Sequence, residues 1–189
     1  MPSELSIDVE RRYAVVAAAL KAFSRFGYRR TAMADIAAEA GVSRPSLYLV
    51  FPNKAAVFRA LIDVLLSGAM SGAEAAWTEG MAPAEGLAAA ILAKDLPIHQ
   101  LFAATPHAAE ILAAAEALAG DLHRDVATRF TTLVAERLAA AGDAAAGDTA
   151  RLVASAANGI KHAGLDEATY VADVRRLAAL VAGGLPQAA

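Results

Sequence analysis

Residues 36–51 read IAAEAGVSRPSLYLVF, two very short apolar helix patterns that meet at one glycine. The spacing puts the small Ala37 where the two helices approach closely, and Gly41 permits the turn between them. Val42 and Leu47 are placed to plug the angle. Ser43 is expected to cap the second helix, with Arg44 and Pro45 in its first turn, where a proline's missing N–H costs nothing.

The flanking chain holds this pair in place. Ahead of it, Tyr13, Val16, Ala17, Leu20 and Phe23 form a helical stripe that Gly27 stops as a C-cap glycine. Thr31 is expected to cap the next helix, with Met33, Ile36, Ala37 and Ala40 on its inner face. Leu47 and Phe51 then face inward. Pro52 and Asn53 break the chain before a longer helix with Val57, Phe58, Leu61, Ile62 and Leu65 on one side. Two short helices joined through a glycine and held by a third in front make a helix-turn-helix. The second is short because it has only to present a few side chains to a DNA major groove. The bland alternative is a generic helical corner.

A formal net charge of −3 conceals a division along the chain. Residues 11–60 hold nine basic residues, Arg11, Arg12, Lys21, Arg25, Arg29, Arg30, Arg44, Lys54 and Arg59, against Asp35 and Glu39. Residues 61–189 hold 8 basic and 15 acidic residues. A basic N-terminal part on an acidic body is the asymmetry expected when one part meets a polyanion and the other does not.

The apolar share, 57%, is mostly alanine, leucine and valine, with aromatics at 6%. That favours an all-α chain packed closely on small side chains. At 189 residues it fits a small head fused to a medium body, with residues 8–53 as the head and 54–189 as the body. The absence of cysteine excludes disulfides, thiolate metal sites and cysteine nucleophiles. The N-terminal MPSELSIDVERR lacks the apolar core of a signal peptide. The longest stretch free of charge, residues 96–109, contains two prolines and two histidines, so no bilayer span is expected. These features predict a cytoplasmic protein with no membrane partner. HExxH, GxSxG and phosphate-cradling glycine loops are missing, and His107 with Glu110 offers a metal only two ligands. No catalytic residue, cofactor or metal site is expected.

The run AFSRFGYRRTAMADIAAEAGVSRPSLYLVFPNKAAVFRALI, residues 22–62, resembles the DNA-binding domain of the tetracycline-repressor (TetR) family of bacterial transcriptional regulators. The landmarks are FGY, the threonine opening the second helix, IAAEAGVS, LY with F after two further residues, and NK before the fourth helix. The resemblance implies that Arg44 reads bases, where an arginine reaches guanine O6 and N7 with two hydrogen bonds. Pro45 and Ser46 share that edge. Tyr48 and Lys54 match positions that hold phosphates, and Thr31, flanked by Arg29 and Arg30, offers its hydroxyl and N–H to another. The family often carries His or Tyr where Val50 stands here. With Leu49 also apolar, and placed to meet a thymine methyl or the sugar backbone, the footprint is expected to be lighter in polar contacts.

Proline and glycine divide the body into expected helices near 54–71, 84–94, 98–104, 107–119, 121–141, 148–163 and 167–183. Trp77, Met81, Phe102, His107, Phe130 and Asn158 are candidates for an apolar ligand pocket with a few polar groups. The resemblance further implies a homodimer through the last two helices, along Leu152, Val153, Ala156, Gly159 and Ile160 on one and Val174, Leu177, Ala178 and Val181 on the other. The function implied is a regulator, most simply a repressor, on a palindromic operator and responsive to an unidentified small molecule. The alternative is a helical small-molecule-binding or catalytic protein with a vestigial DNA-binding head.

Overall fold

The computed structural model describes residues 4–185, excluding the side chains of residues 4–8, 102 and 103. Its elements are α1 (Glu4–Arg30), α2 (Met33–Glu39), α3 (Arg44–Val50), α4 (Lys54–Ala76), α5 (Pro83–Ala103), α6 (Ala108–Ala140), α7 (Ala146–Lys161) and α8 (Glu167–Gly183), with no strand among the described residues. The chain divides into two compact units: Met1–Leu66 with Gln100–His123, and Ser67–His99 with Arg124–Ala189.

The first unit forms around Val15, Val16, Ala19, Ala22 and Phe23 of α1, which share one face at helical spacing. The expected stripe is therefore corrected at two positions. Tyr13 is 60% exposed and Ala17 also faces out, because the buried face is centred one residue away, on Val15 and Ala19. Phe58 closes the core edge-on against Phe23 and Tyr28, with ring centroids 5.1 and 4.8 Å away. Ala37 and Leu47 are buried where α2 meets α3, as the pattern requires, and Val42 is partly buried beside them. Gly41 makes the turn at φ 66°.

The first half of α6 belongs to this unit and is pinned to α4. Backbone angles leave the helical region at Ala119 (φ −143°), close to the break expected between residues 119 and 121. Arg59 donates to the carbonyl of Leu118 at 2.9 Å and grips both carboxylate oxygens of Asp121. That hydrogen-bonded pairing holds the Asp121 carboxyl well below the usual carboxylate range.

The second unit packs Met70, Trp77, Leu87, Ile91, Phe130, Val134, Leu138, Val153, Tyr170 and Val174 into its own core. Two expectations change here. Pro97 was expected to divide two helices, yet α5 runs through it. A proline in a helix deprives the carbonyl four residues back of its donor, and the carbonyl so deprived, that of Ala93, lies against Gly72, where a Cβ would stand 3.3 Å away. The stripes expected to pair two copies are also revised: Val153, Val174 and Ala178 are buried within the unit. Leu152 and Leu180 are 65% and 63% exposed, and Gly159 is exposed with Leu152 on α7.

α4 is, by length and composition alone, long and apolar enough to cross a membrane. Core helices of globular proteins satisfy the same measure. Here Val57, Phe58, Leu61 and Ile62 fill the first core and Met70 and Ala73 the second.

Candidate nucleic-acid interface

α3 is a helix of seven residues with one side sealed and the other open. Ser43 caps it, its hydroxyl accepting the Ser46 N–H at 3.2 Å, and Pro45 sits in the first turn. Leu47 is fully buried beneath the helix, while Arg44 and Pro45 are exposed, Tyr48 is 45% exposed and Leu49 84%. Ser46 is half-buried, and its hydroxyl pairs with that of Ser43 at 2.8 Å. Val50 leans onto the core. The outward face thus offers a guanidinium, a phenol and an isobutyl group, the set expected for guanine, phosphate and thymine methyl.

Beside it lies a kink in the last turn of α1. Gly27 takes φ 77° and ends the regular helix, and residues 28–31 carry the chain to α2. Arg29 and Arg30 are exposed here. Arg30 Nε donates to the Phe26 carbonyl at 3.1 Å, and its Nη2 lies 3.2 Å from Nε2 of His107. Since a guanidinium only donates, that imidazole nitrogen accepts.

One expectation in this turn needs correction. Thr31 does not cap α2: it is buried, its hydroxyl donates to the carbonyls of Gly27 at 2.6 Å and Ala22 at 3.3 Å, and its N–H donates to Gly27. Both groups expected to meet phosphate are thus committed to the end of α1. The cap position belongs to Ala32, whose N–H is taken by the Asp35 carboxylate at 2.7 Å. Lys54, expected to hold a phosphate, serves this turn as well. Its Nζ donates to the carbonyls of Tyr28 at 2.8 Å and Arg29 at 3.1 Å and stands 4.6 Å from the Tyr28 ring, so one N–H remains for a phosphate. Burial pushes the Tyr28 phenol up from its ordinary value. Asn53, read from sequence only as a breaker, accepts the Ala56 N–H at 2.9 Å and starts α4.

Of the six ligand candidates, Trp77 and Met81 come together. Trp77 and Met81 border an open groove of about 460 Å³ together with Pro83, Arg137 and Leu185. Phe130 is buried in the second core beneath the Lys94 ammonium, 4.7 Å from its ring centre. His107 belongs to the first unit, turned to Arg30, and Asn158 faces out from α7. The side chain of Phe102 lies outside the described residues.

Sequence reading missed a polar cluster in the second unit. The Asp95 carboxylate is buried and receives Lys94 Nζ at 2.7 Å and Lys161 Nζ at 3.0 Å on one oxygen, with the Tyr170 hydroxyl 3.5 Å from the other. His99 stacks on the Tyr170 ring at 5.7 Å. No local motif marks it, because its members come from α5, α7 and α8.

Residues 15–61 match the family model described as bacterial regulatory proteins, tetR family. The chain is 46% identical over 56 residues to the HTH-type transcriptional regulator TtgR of Pseudomonas putida, covering 30% of this chain and 27% of that protein. It is 38% identical over 63 residues to the HTH-type transcriptional regulator EthR of Mycolicibacterium smegmatis, covering 33% and 29%. The chain thus spans under a third of the length of these curated relatives. Solved structures extend the likeness in fold. A transcriptional regulator from Rhodococcus sp. Rha1 superposes with a TM-score of 0.73 at 17% identity over 94% of this chain and 99% of that one. A TetR-like regulator from Rhodococcus sp. RHA1 gives 0.62 at 22% identity over 97% and 99%. Residues 15–61 thus match the DNA-binding head of the tetR family of bacterial regulatory proteins in sequence, and the rest of the chain shares the fold of the solved regulators.

Proposed function

We propose that the chain is a cytoplasmic transcriptional regulator that binds a palindromic DNA operator as a homodimer and releases it when a small molecule enters the body. The observation that carries DNA binding is α3 itself: Arg44, Tyr48 and Leu49 exposed over a buried Leu47, inside the one strongly basic segment of the sequence. A vestigial head has no need to keep that face open and charged. One helix-turn-helix reads only a half-site, so useful affinity calls for two copies on a two-fold operator. Exposed Leu152 and Leu180, with the small Gly159, support pairing through α7 and α8. The groove beside Trp77 and Met81 supports a small-molecule effector.

The experiment is fluorescence anisotropy against DNA from upstream of the protein's own coding sequence and against the same bases scrambled. Preference for the native duplex, with affinity falling as salt rises, supports the reading. Equal affinity for both duplexes refutes it.

A further inference from the structure

The glycine turn at the end of α1 carries two of the candidate phosphate-binding residues, yet it is fixed largely by residues distant in sequence. At Gly27 a Cβ would stand 2.7 Å from Oε2 of Glu110 and 3.2 Å from Oε1. The glycine leaves a gap, and the Glu110 carboxylate occupies it. Oε1 then accepts the Arg29 N–H at 2.5 Å. Neighbouring groups from the same stretch complete the grip: Thr105 Oγ1 donates to the Ser24 carbonyl at 2.7 Å, and His107 faces Arg30. From α4, Lys54 holds the Tyr28 and Arg29 carbonyls.

We propose that Glu110 is a positioning residue for DNA contact: its carboxylate, seated in the Gly27 gap, fixes the turn that presents Arg29 and Arg30 to phosphate. This rests on the DNA-binding reading above. A left-handed glycine turn is loose by itself, and ordering it on DNA costs affinity that a pre-set turn does not lose. A carboxylate accepting a backbone N–H is a charge-assisted bond suited to that task. The carboxylate also places a negative charge beside residues that meet phosphate, which by Coulomb's law alone weakens DNA binding. Position and charge therefore predict opposite signs, and three variants separate them.

Glu110→Ala removes both charge and contact. Glu110→Gln removes the charge but keeps an oxygen within reach of the Arg29 N–H. Glu110→Asp keeps the charge but withdraws it by one methylene. Positioning requires Glu110→Ala and Glu110→Asp to bind operator about tenfold more weakly, with the slope of log affinity against log salt reduced by about 1 to 2 as phosphate contacts are lost. Glu110→Gln should stay within about twofold of the unaltered protein. A general loss of packing would lower the melting temperature without changing the salt slope, and that pattern overturns the proposal. So does binding by Glu110→Ala and Glu110→Gln that equals or exceeds that of the unaltered protein. Should the unaltered protein show no preference for operator over scrambled DNA, the DNA-binding reading itself fails, a result distinguishable from normal wild-type binding with unaffected variants.

Discussion

Replacing Asp95 by Asn is expected to destabilise the second unit by about 3 to 5 kcal/mol, although the side chain changes little in volume. The Asp95 side chain is 3% exposed, and a single oxygen receives the ammonium groups of Lys94 and Lys161, the former 16% exposed. An amide in its place still accepts a hydrogen bond but leaves two ammonium groups uncompensated. By contrast, the Arg151–Asp148 pair is exposed at 67% and 75%, and its loss should cost under about 1 kcal/mol. For a chain of this size, 1 kcal/mol moves the midpoint by roughly 2 to 4 °C, so Asp95→Asn should lower it by about 6 to 20 °C. Trp77 is the one tryptophan in the sequence and lies in the same core, so its fluorescence reports this unit directly. Acid unfolding supplies a second reading. Burial pushes the Asp95 carboxyl up, and the Lys94 and Lys161 ammoniums beside it more than reverse that, leaving it below its ordinary 3.8. A depressed carboxylate contributes stability above its unfolded value and loses it as pH falls through the folded one. The stabilising share is therefore present above pH 3.8, and Asp95→Asn should flatten the decline below it. A midpoint within about 2 °C of the unaltered protein, with the acid limb unchanged, would falsify the account.

The remaining expectations concern the face of α3, the surface of α7 and α8, and the alkaline limb. Arg44→Ala should cost about 1 to 3 kcal/mol on operator DNA and relax base preference, whereas Lys54→Ala, which also frees the turn it holds, should weaken all duplexes alike and lower the salt slope by about 1 to 3; equal losses by both variants on operator and scrambled DNA would sink that division. Leu152→Arg with Leu180→Arg should give monomers that retain helical content but lose operator affinity, read by light scattering and circular dichroism; an unaltered protein that is monomeric at micromolar concentration removes the basis for it. Burial, with Asp95 adding to it, pushes the Tyr170 phenol far up from 10.0. A raised group contributes stability that is complete below its unfolded value and lost above it, so unfolding should become easier above pH 10.0 and Tyr170→Phe should remove that dependence.

What the sequence disclosed depended on the range of the interactions. Ala37, Gly41, Ser43 and Leu47 act on neighbours within a few residues, so their spacing carried the fold of α2 and α3. Gly27 was legible as a helix stop for the same reason. Its second role was not, because the carboxylate filling its gap comes from residue 110. Thr31 stands where a capping residue belongs, but the chain continues one residue further before α2 begins, and the threonine turns inward to the end of α1. Lys54 carries the right charge in the right place, yet most of its donors go to backbone carbonyls that no motif could indicate. Pro97 marked a break by the local rule. It was overruled by packing, because the contact that accommodates its orphaned carbonyl lies on another helix. The Asp95 cluster joins three helices and leaves no periodic trace.

That contact between Gly72 and the Ala93 carbonyl makes positions 72 and 97 energetically dependent on one another. Alanine at 72 alone would bring a methyl to 3.3 Å from the carbonyl oxygen, closer than ordinary contact. Alanine at 97 alone would restore an N–H to draw that carbonyl back along the axis of α5, leaving a shallow void over the glycine. Made together, the two changes should fit better than either singly, so their effects on stability would not add. A route of substitution that starts at 72 passes over a less stable intermediate, whereas an exchange at 97 regains a helix hydrogen bond and opens 72 to side chains that the present pairing disfavours.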